Sequence, residues 1–336
     1  MKIGIFCLTE HFEGTVQKSI MDQLRLVELA DKLGFDEAWF GEHHFNGFSV
    51  IPDPAVMMAY AIAKTSNIRI GTAGFLAPFY HPVRLAESIS VLDNLSSGRI
   101  NAGFAKGGFA PDNKHFKRDP DSLRNAMFEI TESIDRLLHL PSPSYDGIFA
   151  SFQDVVLQPK PIQKRVPFFV ATFANPDTIK FAAKNGYGLL MSQGASLKEC
   201  EDAQNLYFSI AGFIPEIVLM RVFCIADTYD DAYRIIRPSI DHFVKSMRAA
   251  SSEVPAPKWN RENYDAILKE REAFFDGQKF FDNAILGTPS QCIDTICNIQ
   301  KLLPNLHLIL KPSSSDANQN YLMLEDFNTK IRPYLQ

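Results

Sequence analysis

Four short runs hold the residue types that acid–base and anion chemistry require. Gly41-Glu42-His43-His44-Phe45 sets two adjacent imidazoles behind a carboxylate. An imidazole titrates near neutral pH and suits proton transfer. Adjacent side chains of an extended chain point to opposite faces, so His43 and His44 are poorly placed to chelate one metal together. Gly103-Phe104-Ala105-Lys106-Gly107-Gly108 places a lysine among glycines, where an anionic group can approach the backbone. A solvated lysine accounts for Lys106 equally well. Ala171-Thr172-Phe173-Ala174-Asn175-Pro176-Asp177-Thr178 reads as a turn into a helix. Its open N–H groups and positive dipole end attract phosphate, although capping alone also explains Asn175. Finally, Gly71-Thr72-Ala73-Gly74 is small enough for a flat ligand, or a neighbouring backbone, to come close.

Other chemistries lack support. There is no nucleophile elbow and no Ser/His/Asp order for acyl transfer. No HEXXH run or clustered carboxylates point to metal hydrolysis. The five cysteines, Cys7, Cys200, Cys224, Cys292 and Cys297, are scattered without a CxxC pair. They read as buried thiols in a reducing cytoplasm. A net charge of −5 with no dense Lys/Arg block gives no footprint for nucleic acid or an anionic membrane. No apolar run reaches 18 residues, and the apolar start Met1–Leu8 reads as a first strand, not a secretory leader.

The elements that must position these runs alternate. Short apolar segments fall at Ile3–Leu8, Glu37–Glu42, Ile68–Ala73, Ile100–Ala105, Pro167–Ala171, Tyr187–Ser192, Ile217–Ile225 and Leu306–Lys311. Between them lie stretches of helical period, such as 20–33 and 121–140. Asp53-Pro54, Asp119-Pro120, Asn175-Pro176 and Thr288-Pro289 each set a capping side chain before a proline suited to the first helical turn. Gly98 and Gly186 read as helix stops. A strand–helix alternation repeated about eight times predicts an α/β fold, a TIM (β/α)8 barrel spanning 1–336 as one domain. Insertions are expected near 141–165 and 251–286, the second being a candidate lid or a surface helix with a linker. In such a barrel the site lies at the strand C-termini, where the four runs fall.

Together these runs resemble the bacterial luciferase-like, flavin-dependent monooxygenases. The start Met1–Phe6, Glu42-His43-His44-Phe45, Gly71-Thr72-Ala73, His81-Pro82-Val83-Arg84, Leu92–Arg99 and Gly287-Thr288-Pro289 occur in family order at family-like distances, from residue 1 to about 310. The resemblance implies a barrel that is often a dimer. It implies reduced FMN, bound noncovalently and supplied by a separate flavin reductase. It also implies O2 adding to give a flavin C4a-hydroperoxide that oxidises a small organic substrate. His43 matches the catalytic histidine of luciferase. In relatives that use F420 the histidine matching His44 matters, so an F420-dependent hydride-transfer oxidoreductase is the alternative enzyme. A non-catalytic flavin-binding partner subunit is a third reading, although the luciferase second chain has Asn where His43 stands. The resemblance carries cofactor contacts to Ala73, Gly74, Lys106, Ala171, Thr172, Phe173, Asn175, Thr178 and Ser192, with a non-prolyl cis peptide at Ala73–Gly74 and no metal. The Phe-rich run 274–281 would exclude water by closing over the site. Ala105 stands where luciferase has a reactive cysteine. Lys106 stands for arginine and gives a point charge in place of a planar fork. Thr172-Phe173 replaces a Glu-Ser pair. The 251–286 region is shorter than the luciferase mobile loop, which argues against light emission from a long-chain aldehyde.

Overall fold

The computed structural model describes residues 1–252 and 276–335. Among the described residues, eight parallel strands close on themselves: β1 (Lys2–Cys7), β2 (Glu37–Phe40), β3 (Arg69–Thr72), β4 (Ile100–Ala105), β5 (Phe168–Thr172), β6 (Gly188–Met191), β7 (Ile217–Ile225) and β8 (Leu306–Pro312). Closure comes from β8 pairing with β1, in the register Lys2↔His307 to Ile5↔Leu310. Each predicted strand is present, with ends shifted by at most two residues. The strands are apolar almost throughout because both faces are covered, as parallel sheets require. All nine residues of β7 are buried. Alternate residues of β1 divide the work: Ile3, Ile5 and Cys7 meet the outer helices, while Phe6 and Leu8 fill the lumen.

The predicted caps hold the helices. Asp53, Asn175 and Thr288 accept from first-turn N–H groups of Pro54–Lys64, Pro176–Asn185 and Pro289–Leu302. Asp119 caps a short 3-10 turn ahead of Leu123–His139. Gly186 ends its helix in the left-handed conformation at φ 69°, which costs a side-chain-free residue little.

The N-terminal end of the lumen is plugged by a polar network. Glu37, fully buried, accepts from Trp39 Nε1 at 2.8 Å and Asn101 Nδ2 at 3.2 Å. His307 bridges Glu37 at 3.0 Å and Glu216 at 3.2 Å. The charge pairing at this end serves stability, since the chemistry of such barrels sits at the other. The 141–165 excursion is extended, as expected: Tyr145–Asp146 and Ser151–Phe152 form an antiparallel hairpin. It is pinned to the helix Pro82–Leu95 through Gln163 on Asp93 and Asn94 on the Lys160 carbonyl.

Most of the 251–286 insertion, including Phe274 and Phe275 of the expected lid, lies outside the described residues. The described remainder of the Phe-rich run is well packed. Phe280 and Phe281 are buried; Phe280 packs on Phe243 and Phe281 stacks on Tyr233 with centroids 4.3 Å apart. Both rings are packed into the core here, Phe280 also against the backbone at Gly194 after β6. No helix among the described residues is long and apolar enough to cross a membrane. Four thiols are buried, and burial pushes Cys200 up to about 11 and Cys224 and Cys292 up to about 12; Cys297 is partly exposed.

Candidate active site

The mouth of the barrel is built from the loops that follow β2 to β6. After β2, Glu42 turns inward and is almost fully buried. Its Oε2 accepts from the Leu76 N–H at 3.1 Å and the Tyr80 hydroxyl at 2.9 Å, and its Oε1 meets His44 Nε2 at 2.8 Å. Burial raises the Glu42 carboxyl and those three contacts oppose the rise. Rings wall His44 off: Phe116 lies edge-on at 4.9 Å and Phe79 at 6.5 Å. His43 points elsewhere, as the alternation predicts, between Phe48 at 6.1 Å and Phe109 at 5.9 Å. Its Nδ1 is buried without a hydrogen-bond partner. Desolvation, reinforced by His44 beside it, lowers His43 to about 4. At neutral pH His43 is therefore an uncharged imidazole whose buried Nδ1 has no partner.

After β3 two of the small residues, Gly71 and Gly74, are close-packed. A Cβ on Gly71 would lie 2.8 Å from Trp39 Cε3. A Cβ on Gly74 would lie 2.7 Å from the Gly103 and Phe104 backbone. Thr72 Oγ1 ties the two strands, donating to the Gly103 carbonyl and accepting from the Gly103 N–H, both at 3.0 Å. The Ala73–Gly74 peptide is cis, as the resemblance implied. Ala73 remains partly exposed, and Ala73, Phe109 and Ala171 pack onto the apolar lumen cluster of Phe6, Leu8, Trp39 and Phe169. They form an apolar floor to the mouth.

After β4 comes Lys106. Desolvation lowers its pKa first, and the nearby Arg124 guanidinium lowers it further. Neither cation has an anionic partner among the described residues, and Arg124 Nε is buried without an acceptor. Two like charges held together with no counter-ion form a site that an anion completes. The β4–β5 register, Phe104↔Val170, brings the Lys106 turn beside the β5 end. There Thr172 Oγ1 accepts from the Asn175 N–H at 3.0 Å. Asn175 Oδ1 in turn accepts from the N–H groups of Asp177 and Thr178 at 3.2 and 3.1 Å. Capping thus accounts for Asn175, and Thr178 is buried under it. Phe173 is exposed on this loop. After β6, the Ser192 carbonyl accepts from Ala195 N–H, and the neighbouring Gln193 is buried with Oε1 unpartnered.

The structure therefore gathers the expected residues at one end of the barrel. It adds several that sequence reasoning missed: Arg124, Gln193, Asp112 and Asn113. The Asp112 carboxyl and Asn113 Oδ1 are buried and unpartnered. Arg124 lies 18 positions beyond Lys106 inside an ordinary amphipathic helix, so no local pattern marks it. Among the described residues no group of three His, Cys, Asp or Glu side chains is placed to hold a metal. A cavity of about 370 Å3 opens beside His43, lined by Phe45, Asn46, Ser49 and Pro52. A larger one of about 630 Å3 lies across the β8–β1 edge, between Glu10, Gln23, Lys311 and Asn320, away from Lys106.

These features fit a flavin mononucleotide. The free cations suit its phosphate, the floor suits its ring, and the orphaned buried acceptors suit its hydroxyl and imide donors. A closed eight-stranded parallel barrel with its site residues on one mouth is the architecture shared with luciferase-like monooxygenases. The chain belongs to the luciferase-like monooxygenase family, whose sequence profile matches residues 1–305. It is 28% identical over 248 residues to the oxygenase component of the flavin-dependent trigonelline monooxygenase of Acinetobacter baylyi, covering 69% of this chain and 67% of that one. It resembles the solved monooxygenase RslO1 of Streptomyces bottropensis with a TM-score of 0.86, at 26% identity and 99% coverage of both chains. An F420-dependent secondary alcohol dehydrogenase shares the fold at a TM-score of 0.76 and 21% identity, covering 100% of this chain and 99% of that one.

Proposed function

We propose that this protein is an FMNH2-dependent monooxygenase that oxidises a small organic substrate with O2 through a flavin C4a-hydroperoxide. The observation that carries the reading is the unpaired Lys106–Arg124 couple on the same mouth as the neutral, open-edged His43. Bound reduced flavin supplies the oxygen-activating chemistry; the chain supplies binding, dryness and proton control. Lys106 and Arg124 hold the phosphate, with the capped turn Thr172–Thr178 beside them. Ala73, Gly74 and Ala171 would support the flavin ring, with Phe173 and Ser192 on the loops beside it. Phe48 and Phe109 keep water from His43, whose open Nδ1 accepts or relays a proton at the reacting edge. A separate flavin reductase in the cytoplasm delivers FMNH2, and the protein works as a homodimer. Exposed Val56 and Tyr60 on one helix and Val91 and Leu95 on the adjacent one support a self-association face.

The test is to bind FMNH2 anaerobically, admit oxygen, and follow the flavin spectrum with and without His43→Ala. The expected result is a transient oxygen adduct in the native protein that decays faster in the variant. Tight F420 binding with no FMNH2 binding overturns the reading in favour of hydride transfer. Binding with identical behaviour of the His43→Ala variant marks a non-catalytic subunit instead.

A further inference from the structure

The turn that follows β1 is tied to the residues beside His43 by a short pairing. His11 N–H donates to the Phe48 carbonyl at 2.8 Å and Val50 N–H to the Thr9 carbonyl at 3.2 Å, around the single antiparallel bridge Glu10↔Ser49. Two strands that short are marginal on their own. Thr9 also sits in the left-handed region at φ 53°, which a β-branched residue seldom adopts. Such a turn needs a hold, and Glu10 supplies it from inside. Its Oε2 meets Lys311 Nζ, near the end of β8, at 2.8 Å, with the two side chains only 8% and 4% exposed. The Ser239 hydroxyl, fully buried on the helix Tyr229–Ser252, donates to Glu10 Oε2 at 3.3 Å and accepts from Lys311 Nζ at 3.4 Å. Further along the same face of that helix come His242 and Phe243, whose rings lie 5.3 and 5.4 Å from Phe48. Phe48 in turn walls His43 at 6.1 Å, and His43 N–H donates to the Ile51 carbonyl, next to the pairing, at 3.0 Å. Contacts thus run unbroken from Lys311 to His43.

Stability alone is a poor reason for a buried ion pair, because apolar side chains of similar size often replace one without loss. What the pair fixes here is geometry. We propose that Glu10, Lys311 and Ser239 are positioning residues: they form a clamp that draws the turn after β1 onto β8 and the helix Tyr229–Ser252, and so seats Phe48 against His43. None of the three touches the imidazole. The clamp itself stands apart from the monooxygenase reading. Its bearing on catalysis rests on that reading, in which Phe48 keeps water from His43.

The experiment uses full-length, flavin-free protein and the double variant Glu10→Met/Lys311→Met, which leaves no charge unpaired. The expected Tm is no lower than native. By NMR, the His11 and Val50 amides should exchange about tenfold faster or more, while the Gly4 and Ile5 amides of the barrel keep their rates. The His43 ring signals, assigned by their absence in His43→Gln, should also move, because the Phe48 ring has shifted. Native exchange at His11 and Val50, or unmoved His43 signals, overturns the clamp whether or not the protein is a monooxygenase. A lower Tm with faster exchange throughout the barrel overturns it too, since the pair would then serve the whole fold. Should the double variant fail to fold, Ser239→Ala decides through the same amides; unchanged exchange there overturns the clamp. The kinetic arm admits oxygen to protein loaded with FMNH2. Decay of the oxygen adduct about threefold faster or more in the double variant, with FMNH2 affinity held within about threefold, is expected. Equal lifetimes overturn the catalytic half. Failure of native protein to bind FMNH2 refutes the monooxygenase reading and leaves the amide result to judge the clamp.

Discussion

Replacing Lys106 with methionine should strengthen the flavin-free protein and weaken its grip on FMN, two effects of opposite sign from one charge. Without ligand, Lys106 is desolvated and faces the Arg124 guanidinium with no anion between them. Methionine keeps much of the apolar stem and removes both penalties. Relief of one such like-charge contact at partial burial is worth about 1 kcal/mol. At ~2.1 cal/mol/K of unfolding entropy per residue, a chain of this length gains only about 1–2 °C in Tm. With FMN bound, the same substitution removes a charge-assisted hydrogen bond worth about 1.5–3 kcal/mol, so Kd rises roughly 10- to 150-fold. The assay is calorimetric titration with FMN and, in parallel, riboflavin, together with thermal melts of flavin-free protein. Riboflavin lacks the phosphate, so its affinity should be the same in both proteins. Lys106→Arg should bind FMN at least as well as native, since the planar fork meets phosphate oxygens in pairs. Equal losses of FMN and riboflavin affinity, or a lower flavin-free Tm in Lys106→Met, would refute the assignment of these cations to a phosphate.

His43 gives a second test. The unfolded chain takes up a proton near 6.5 and the folded one only near 4, so stability is lost as pH falls through that interval, by about 3 kcal/mol. His43→Gln should be relatively more stable than native at pH 4.5 than at pH 7.5, measured by urea unfolding. The polar plug at the other end predicts opposing limbs. Glu37 and Glu216, the latter lowered to about 2 chiefly by its bond to His307, stabilise above about 4.5 and lose this as pH falls. Glu216 is half exposed, so solvent screening holds its share to about 1 kcal/mol. His307 is raised by Glu216 and Glu37 against the pull of burial; it stabilises below about 6.5 and loses this as pH rises through its folded value. The difference in Tm between native and His307→Gln should therefore narrow from pH 6 to pH 9. Gly71→Ala should cost about 1–3 kcal/mol by overpacking Trp39. An unchanged denaturant midpoint would show that the indole moves aside freely.

The barrel was readable because parallel strands buried on both faces leave uninterrupted apolar runs, and because Asp-Pro, Asn-Pro and Thr-Pro pairs mark helix starts. Asn175-Pro176 and Thr288-Pro289 sit where that chemistry demands. Strand-end position also located His43, His44 and Lys106, since the fold decides which end reacts. Lone partners across the mouth were hidden. Arg124 and Asp112 belong to short-range patterns that read as ordinary amphipathic helix and loop; their meaning lies in what they fail to pair with. The glycines after β3 stayed ambiguous in the sequence for a related reason. Spacing reveals that room is needed at Gly71 but not that Trp39 is what occupies it.

The burial of the thiols has a consequence for any chemistry run with dioxygen. Cys7, Cys200, Cys224 and Cys292 are sheltered as protonated sulfhydryls, the form least prone to attack by peroxides, and Ala105 leaves no sulfur where β4 meets the mouth. Only Cys297, on the outer helix Pro289–Leu302, stands partly open to electrophiles. A single alkylating reagent should thus tag the native protein once, on its rim, and leave a fluorophore that reports on neighbouring helices without disturbing the mouth.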